Sequence, residues 1–291
     1  MVPAWSLLVP VFAALVLAVI ASQKPDGRLH VWVLDVGQGD AILIRTPGGH
    51  TALIDGGPGA TPLLNGVGRH LPFWQHNLDL VVLTHPHQDH MMGLIDLLAR
   101  YQVGLVVQTE FTATAGVQAE WLRLISTRGI PLHYARRGDR IRFADEPDVW
   151  MWVLSPLTPQ ASEEGSGGNI NNTSVVLQLG YAGYRVLLEG DAQSRAEERM
   201  ADDLAPVLPA QVLKVAHHGS DTSSSPGFIN KVRPKVAIIS VGAGNRFGHP
   251  APDTIHTLRE AGARIYRTDN DGTIEVIADP QHLWIRTEHQ E

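Results

Sequence analysis

The sequence predicts an α/β chain in which two mixed sheets pack face to face with helices outside. Three observations carry this. Short apolar runs of strand length alternate with helical patterns, and hairpin signals occur in both halves. No internal repeat is visible, so the halves share a rhythm and not a sequence. The residue types able to hold a metal ion fall just after strands, where the loops of a sandwich converge on one edge.

In order, Leu29–Leu34 reads as a strand, followed by the loop Asp35-Val36-Gly37-Gln38-Gly39-Asp40. Ala41–Arg45 and Thr51–Ile54 read as a hairpin around Pro47-Gly48-Gly49, and Asp55-Gly56-Gly57 breaks the chain. Leu78–Leu83 is a buried strand, and Gly93–Tyr101 a helix with Leu94, Leu97 and Leu98 on one face. A short strand (Leu105–Val107), a helix (Gln118–Arg128) and further strands including Val149–Leu154 follow. Residues 155–172 are rich in Gly, Pro, Ser and Asn and read as a long loop, of the kind that serves function. In the second half Val175–Leu179 pairs with Arg185–Leu188, and a helix spans Ser194–Leu204. Val212–Val215 and Val236–Ser240 are buried strands. Pro252 with Asp253 starts a helix that runs to Ala261. Ile265–Arg267 and Thr273–Ile277 close the chain.

The composition is that of a folded domain: 44% of the 291 residues are apolar and 18% charged. The absence of cysteine excludes disulfides, Cys-zinc sites and a thiol nucleophile, so any metal site must use His, Asp or Glu. A net charge of −7 counts against tight nonspecific DNA binding by this segment alone, so any attraction for phosphate must be local.

The N-terminus differs from the rest. Residues 4–21 form an uncharged apolar run of eighteen, broken by Ser6 and Pro10, which just suffices for a membrane span. No Lys or Arg precedes it and Val19-Ile20-Ala21 is a poor cleavage site, which disfavours a secretory signal. The expected organisation is a transmembrane segment at 1–22, the last of several in a longer protein, a linker at 23–28 and one domain at 29–291. Lys24 and Arg28 weigh towards a cytoplasmic domain, but Asp26 lies between them and the side of the membrane stays open.

Residues 84–90, Thr-His-Pro-His-Gln-Asp-His, follow the Leu78–Leu83 strand and place His85, His87, Asp89 and His90 within six positions. A strand end and a tight loop can aim two imidazoles at one point and the following carboxylate and imidazole at a second. Two neighbouring cation sites activate water. Asp191 ends another apolar strand in Glu189-Gly190-Asp191, where a carboxylate can bridge two cations. His217-His218-Gly219-Ser220 is the third constellation. Adjacent residues of an extended segment point to opposite faces, so one imidazole is expected to ligate and the other to pack or contact substrate.

These motifs occur in one order: D-V-G-Q-G-D at 35–40, L-I-D-G-G at 53–57, T-H-P-H-Q-D-H at 84–90, Gly190-Asp191, H-H-G-S at 217–220 and N-R-F-G-H-P at 245–250. The set resembles the metallo-β-lactamase superfamily over residues 29–278. The first, fifth and sixth motifs narrow the likeness to the C-terminal domain of ComEC-type DNA-uptake competence proteins. In that family the domain follows a multi-pass membrane region, which matches the apolar N-terminus.

The resemblance implies a four-layer αββα sandwich with the metal site at one edge. It implies His85 and His87 on a first divalent cation, Asp89 and His90 on a second, Asp191 bridging, and His218 as the later ligand, with His217 an alternative. Asp40 and Asp55 would orient ligands from beside the site. Superfamily members draw a further His from mid-chain. The corresponding stretch here, residues 169–174 with Asn172 and Ser174, has none, so the first site is labile or favours manganese over zinc.

The implied activity is a metal-dependent phosphodiesterase that degrades DNA during uptake, leaving a single-stranded product, at a membrane and alongside other competence-machinery proteins. Asp89 is a catalytic candidate. His249 would donate a proton to the leaving oxygen or bind phosphate, Arg246 and Lys214 would neutralise phosphate charge, and Ser220 would contact substrate. Two other readings stay open: a hydrolase of a small ester, lactone or cyclic phosphodiester, and a non-catalytic module guiding DNA to a channel. Trp32, Trp150 and Trp152 read as core or sheet surface rather than base-stacking platforms, and Arg136-Arg137 as a solvated turn.

Overall fold

A computed structural model describes residues 9, 11–13, 23–110, 116–157 and 170–289. It contains two mixed sheets. The first runs β15-β14-β1-β2-β3-β4-β5-β6 and the second β13-β12-β11-β10-β9-β8-β7. The strands of the first are β1 (Leu29–Val33), β2 (Ile42–Arg45), β3 (Thr51–Ile54), β4 (Asn77–Leu83), β5 (Gln102–Gln108), β6 (Leu132–Tyr134), β14 (Ile274–Ala278) and β15 (Leu283–Thr287). Those of the second are β7 (Arg140–Phe143), β8 (Glu146–Ser155), β9 (Val176–Tyr181), β10 (Tyr184–Leu188), β11 (Val212–Lys214), β12 (Val236–Ile239) and β13 (Arg264–Arg267).

Strand alternation sorts the apolar residues into layers. Val31, Val33, Ile42, Ile44, Leu80 and Val82 meet Met151, Val153, Leu177, Leu179, Val186 and Leu188 between the sheets. Their neighbours Trp32, Leu43, Leu53 and Val81 face outward onto helices α1 (Ala60–His70), α2 (Gln88–Arg100) and α3 (Val117–Thr127). Leu154, Val176, Leu187 and Leu213 face outward on the second sheet, under α4 (Ser194–Leu204), α5 (Pro226–Val232) and α6 (Pro252–Glu260). A final single turn, α7, covers Thr268–Asp271. The order helix, sheet, sheet, helix is the expected sandwich.

Strands β3 to β6 run parallel, as do β10 to β13, with helices as crossovers. Their C-terminal ends therefore open on one edge, which is where ligands bind in parallel sheets. The two sheets are joined there, because Val175 N–H donates to Thr84 O at 3.0 Å. Gly190 lies in the left-handed region at φ +54, and a Cβ on it would fall 2.9 Å from the Thr84 side chain.

Several expectations are corrected. Helix α2 begins at Gln88, five residues earlier than the apolar stripe indicates, so Asp89 and His90 belong to its first turn rather than to a loop. Helix α1 carries Pro62, Gly66 and Gly68, poor helix formers that hide it from propensity, yet it buries Leu63 and Val67. Helix α5 and the edge strand β15 were likewise not indicated by pattern. Arg137 is not a solvated turn residue: its Nη1 pairs with Asp203 Oδ2 at 2.6 Å and its Nε donates to Leu154 O at 3.1 Å. The expected transmembrane segment at 1–22 lies almost wholly outside the described residues, and among those no helix is long and apolar enough to cross a membrane. Most of the 155–172 loop is also outside them; its described end, Ile170–Thr173, is a single 3-10 turn.

Candidate metal centre

Each loop on the open edge delivers one part of the site. The chain leaving β3 places Asp55 at φ +58, a left-handed conformation that costs a non-glycine residue energy. Its carboxylate accepts from Thr84 N at 2.8 Å and from Thr84 Oγ1 at 2.7 Å, and lies 2.8 Å from His90 Nδ1. A proton on Nδ1 directed at Asp55 leaves His90 Nε2 free to face the centre, which is how a carboxylate fixes the tautomer of a ligating histidine.

Asp191 lies at the middle of the cluster. Its Oδ1 is 3.2 Å from His90 Nε2 and 3.8 Å from His218 Nε2. Its Oδ2 is 3.7 Å from His85 Nε2 and 3.9 Å from His217 Nε2. The backbone N–H of Asp191 donates to Ser174 Oγ at 3.2 Å. Asp89 Oδ2 adds a second carboxylate, 3.3 Å from His218 Nε2. His87 Nδ1 lies 3.0 Å from His85 Nε2, at the rim.

The histidine pair at 217 and 218 is not extended, which corrects the premise drawn from strand alternation. Ala216–Gly219 forms a tight turn with both histidines left-handed, at φ 49 and 55. His218 is buried, with Nδ1 2.9 Å from Ser240 O and 3.4 Å from Asp40 Oδ1, so its Nε2 points at Asp89 and Asp191. His217 is more open. Its Nδ1 lies 3.0 Å from Thr222 Oγ1, and its Nε2 is 3.4 Å from the Asn171 amide nitrogen.

Burial works against charge here, but the groups offset one another. Burial opposes the Asp191 charge, yet His90 and His218 hold its pKa well below the usual carboxylate range. Burial likewise opposes charge on His218, but Asp191, Asp40 and Asp89 lift it to about 9. His90 is raised well above its ordinary value, Asp191 and Asp55 outweighing burial. Asp89 falls to about 2 despite its burial, mainly through His218. Burial and then the neighbouring His90 push His85 well below its ordinary value.

The residues fit a divalent cation. His90 Nε2, His218 Nε2, Asp191 Oδ1 and Asp40 Oδ1 are all buried without a hydrogen-bond partner, a costly arrangement that a bound cation relieves. Three groups gather ligand atoms within 4.8 Å of one another around this point: His85, His90 and Asp191; Asp89, His90 and His218; Asp40, Asp191 and His218. A fourth joins Asp40, Asp55 and His90. His87 belongs to none of them.

The remaining sequence candidates divide. Asn172 Oδ1 accepts from Gln193 N at 3.2 Å and braces the turn after Asp191, while its neighbour Asn171 approaches His217. Ser220 is buried and its Oγ lies 3.0 Å from Thr222 Oγ1, which keeps it in the wall. Lys214 is corrected: it is 1% exposed and its Nζ donates to Asp40 Oδ2 and to Val215 O, so it cannot meet a phosphate. His249 is clamped by Asn245, whose Oδ1 accepts its N–H at 3.1 Å and whose Nδ2 donates to its carbonyl at 2.7 Å. Its ring centre is 5.6 Å from that of His217, and burial lowers its pKa. Exposed Phe247 stacks on it at 5.8 Å and carries the Arg246 guanidinium at 5.1 Å.

Thr84 and Ser240 were missed by sequence reasoning. Both end an apolar strand with a buried hydroxyl, and that break in the apolar run was the available signal.

Comparison with known proteins agrees with this geometry. The family model for the metallo-beta-lactamase superfamily matches residues 34–243. The chain is 30% identical over 262 residues to ComE operon protein 3 of Bacillus subtilis, covering 84% of this chain and 32% of that protein. It is also 30% identical over 274 residues to competence protein ComA of Neisseria gonorrhoeae, covering 91% of this chain and 35% of the relative. It thus spans about a third of the length of these relatives. Among solved structures, the metallo-beta-lactamase fold protein YhfI from Bacillus subtilis superposes with a TM-score of 0.54 at 11% identity, covering 89% of this chain and 99% of that one. A sandwich of this topology, a His/Asp cluster at its open edge and a family match over most of the domain lead to one assignment: the chain belongs to the metallo-beta-lactamase superfamily.

Proposed function

We propose that the chain is a metal-dependent phosphodiesterase that degrades DNA, working at a membrane with other proteins of a DNA-uptake machinery. The observation that carries the reading is the division of labour at Asp191: one oxygen faces His90 and His218, the other His85 and His217. That arrangement supports two divalent cations, manganese or zinc, which Asp191 would help to hold. His85, with His87 or His217, would hold the first, and Asp89, His90 and His218 the second. Bound there, divalent cations supply Lewis acidity and lower the pKa of water.

The protein's own residues do the rest. Asp55 and Asp40 orient His90 and His218. His249, kept neutral by burial and fixed by Asn245, is available to donate a ring N–H hydrogen bond to a phosphate oxygen. Arg246, on the exposed rim beside Phe247, attracts phosphate to a chain that is otherwise acidic. The name of one relative, competence protein ComA, supports DNA as the polymer, and the apolar run at residues 4–21 supports membrane association.

The test is hydrolysis of labelled single- and double-stranded oligonucleotides by metal-stripped protein with Mn, Zn or Mg added back. Cleavage by the natural chain and its loss in Asp89→Ala, with the circular dichroism spectrum unchanged, is the expected result. Retained turnover in that variant, or hydrolysis of small esters alone, overturns the reading.

A further inference from the structure

The outer face of the second sheet carries a basic, aromatic groove that the site described above does not use. The cross-strand partners are Arg140 with Trp152 and Arg142 with Trp150 on β7 and β8. Trp150 pairs with Gly180 and Trp152 with Gln178 on β9, and Arg185 of β10 pairs with Gly180. The alternate residues Ile141, Met151, Val153, Leu177, Leu179 and Val186 fill the space between the sheets, so this set faces outward. Helix α4 and its apolar layer cover the Leu154–Val176 end of the face, and Trp152 marks the border of that cover.

The groove encloses about 230 Å³. That is smaller than a typical site for a whole small molecule, and it suits one planar ring and the charge beside it. Trp150 occupies the space in which a Gly180 side chain would stand: a Cβ there would fall 2.1 and 2.2 Å from two of its ring atoms. The indole thus rests on the β9 backbone and is only half-buried. Arg140 stacks over Trp152 at 5.2 Å. Arg185 Nη1 reaches only the Val207 carbonyl, at 3.5 Å. Among the described residues none of Arg140, Arg142 and Arg185 pairs with a carboxylate, although acidic residues outnumber basic ones, 30 to 23. Three unneutralised guanidinium groups around an indole select an anion that also carries flat rings. Bases held in a duplex cannot lie on an indole; bases of a single strand can.

We propose that this face binds single-stranded nucleic acid, with Trp150 stacking a base and Arg140, Arg142 and Arg185 holding flanking phosphates. The inference takes its polymer from the phosphodiesterase reading, and it extends that site. Gln178 lies four residues beyond Ser174, which supports Asp191, so at ~3.3 Å per residue the groove begins within about 13 Å of Ser174. A strand bound there is held within a few nucleotides of the cluster. Trp150 and Trp152 lie on the sheet surface as expected, and on this proposal Trp150 also stacks a base.

The experiment measures anisotropy of a dye-labelled oligothymidylate against the metal-stripped chain in chelator, where cleavage cannot occur. The natural chain should bind the single strand more tightly than a duplex of equal length, with log K falling against log salt at a slope of about −2, the value for three phosphates. Trp150→Ala should weaken binding about tenfold or more. Arg142→Glu should weaken it and reduce the slope by about 0.7. With metal restored, both variants should hydrolyse bis(p-nitrophenyl) phosphate at the natural rate, which also shows that they fold. Binding by either variant within twofold of the natural chain marks the face as a contact for other protein segments and overturns the proposal, as does equal affinity for duplex. Loss of small-diester hydrolysis in the natural chain, with Trp150-dependent binding intact, overturns the phosphodiesterase reading and leaves this one standing.

Discussion

Lys214 Nζ donates a hydrogen bond to Asp40 Oδ2, and both side chains are only 1% exposed. The other Asp40 oxygen lies 3.4 Å from His218 Nδ1, so the lysine is tied to the candidate metal centre through a carboxylate. Burial opposes the Asp40 charge, but Lys214 and then His218 hold its pKa far below the ordinary value. Removing one partner of such a pair strands the other charge in the interior, at a cost of about 3–5 kcal/mol. Lys214→Met should therefore destabilise the chain by that order in urea denaturation. The double variant Lys214→Met/Asp40→Asn should recover a large part of the loss. Equal destabilisation in the single and double variants would show that packing, not charge, dominates at this position.

The unpartnered carboxylate oxygens and imidazole nitrogens around Asp191 predict a stability gain on metal binding that does not depend on turnover. A cation that binds only the folded chain stabilises it by about 2.7 kcal/mol at a hundredfold excess over its Kd. Thermal unfolding of stripped protein should shift upward by several degrees when Mn or Zn is added. His218→Ala removes a nitrogen that now points, unpartnered, at Asp89 and Asp191, and should abolish most of the shift. A full shift in His218→Ala would place the cation elsewhere.

Helix α2 can deliver Asp89 and His90 only because two glycines let it approach. A Cβ on Gly93 would fall 2.0 Å from Gly56 O, and one on Gly39, at φ +140, would fall 2.2 Å from Asp89 O. Both obstacles are backbone, so neither can rotate away. Gly93→Ala should cost more than about 2 kcal/mol through forced displacement of the helix. It should also weaken metal binding, because the Asp55–His90 contact moves with it. A variant with unaltered metal affinity and unaltered denaturation midpoint would show that the loop at 55–57 yields easily.

The strands and the cluster were legible in sequence for the same reason. Val81, Val82 and Leu83 run straight into Thr84-His85, and a change from apolar to ligand residues marks a strand end at an open edge. What escaped was set by tertiary context. The start of α2 at Gln88 is polar and has no apolar stripe before Met91. The left-handed turn at His217 and His218 breaks the rule that neighbours diverge, so two adjacent imidazoles flank one carboxylate. Lys214 looks like a phosphate binder beside the H-H-G-S motif until the fold brings Asp40 to it from 174 residues away. The Trp150 platform depends on Gly180 in another strand, a pairing that no local pattern reveals.

Glu197, in the first turns of α4, predicts a pH dependence separate from the metal ligands. It is fully buried, and Ser224 N and Ser225 N donate to its two oxygens at 2.5 and 3.1 Å. Burial nevertheless lifts it from 4.5 to about 7. A carboxyl whose folded value is raised stabilises the fold fully below its unfolded value, near 4.5, and loses that contribution as pH rises to about 7. The paired carboxylates Asp89 and Asp191 run the other way, but their contribution is lost only in acid, below about pH 4. Between pH 5 and 6.5 Glu197 should therefore lower stability as pH rises, against His85, His87, His217 and His249, whose lowered values raise it. Glu197→Gln turns an amide N–H towards one of the two serine donors, costing about 1–3 kcal/mol at pH 5. It should also make the slope of stability against pH more positive by up to one proton, about 1.4 kcal/mol per pH unit. Urea midpoints across that range decide the matter: an unchanged slope in Glu197→Gln relative to the natural chain would assign the titration to another group.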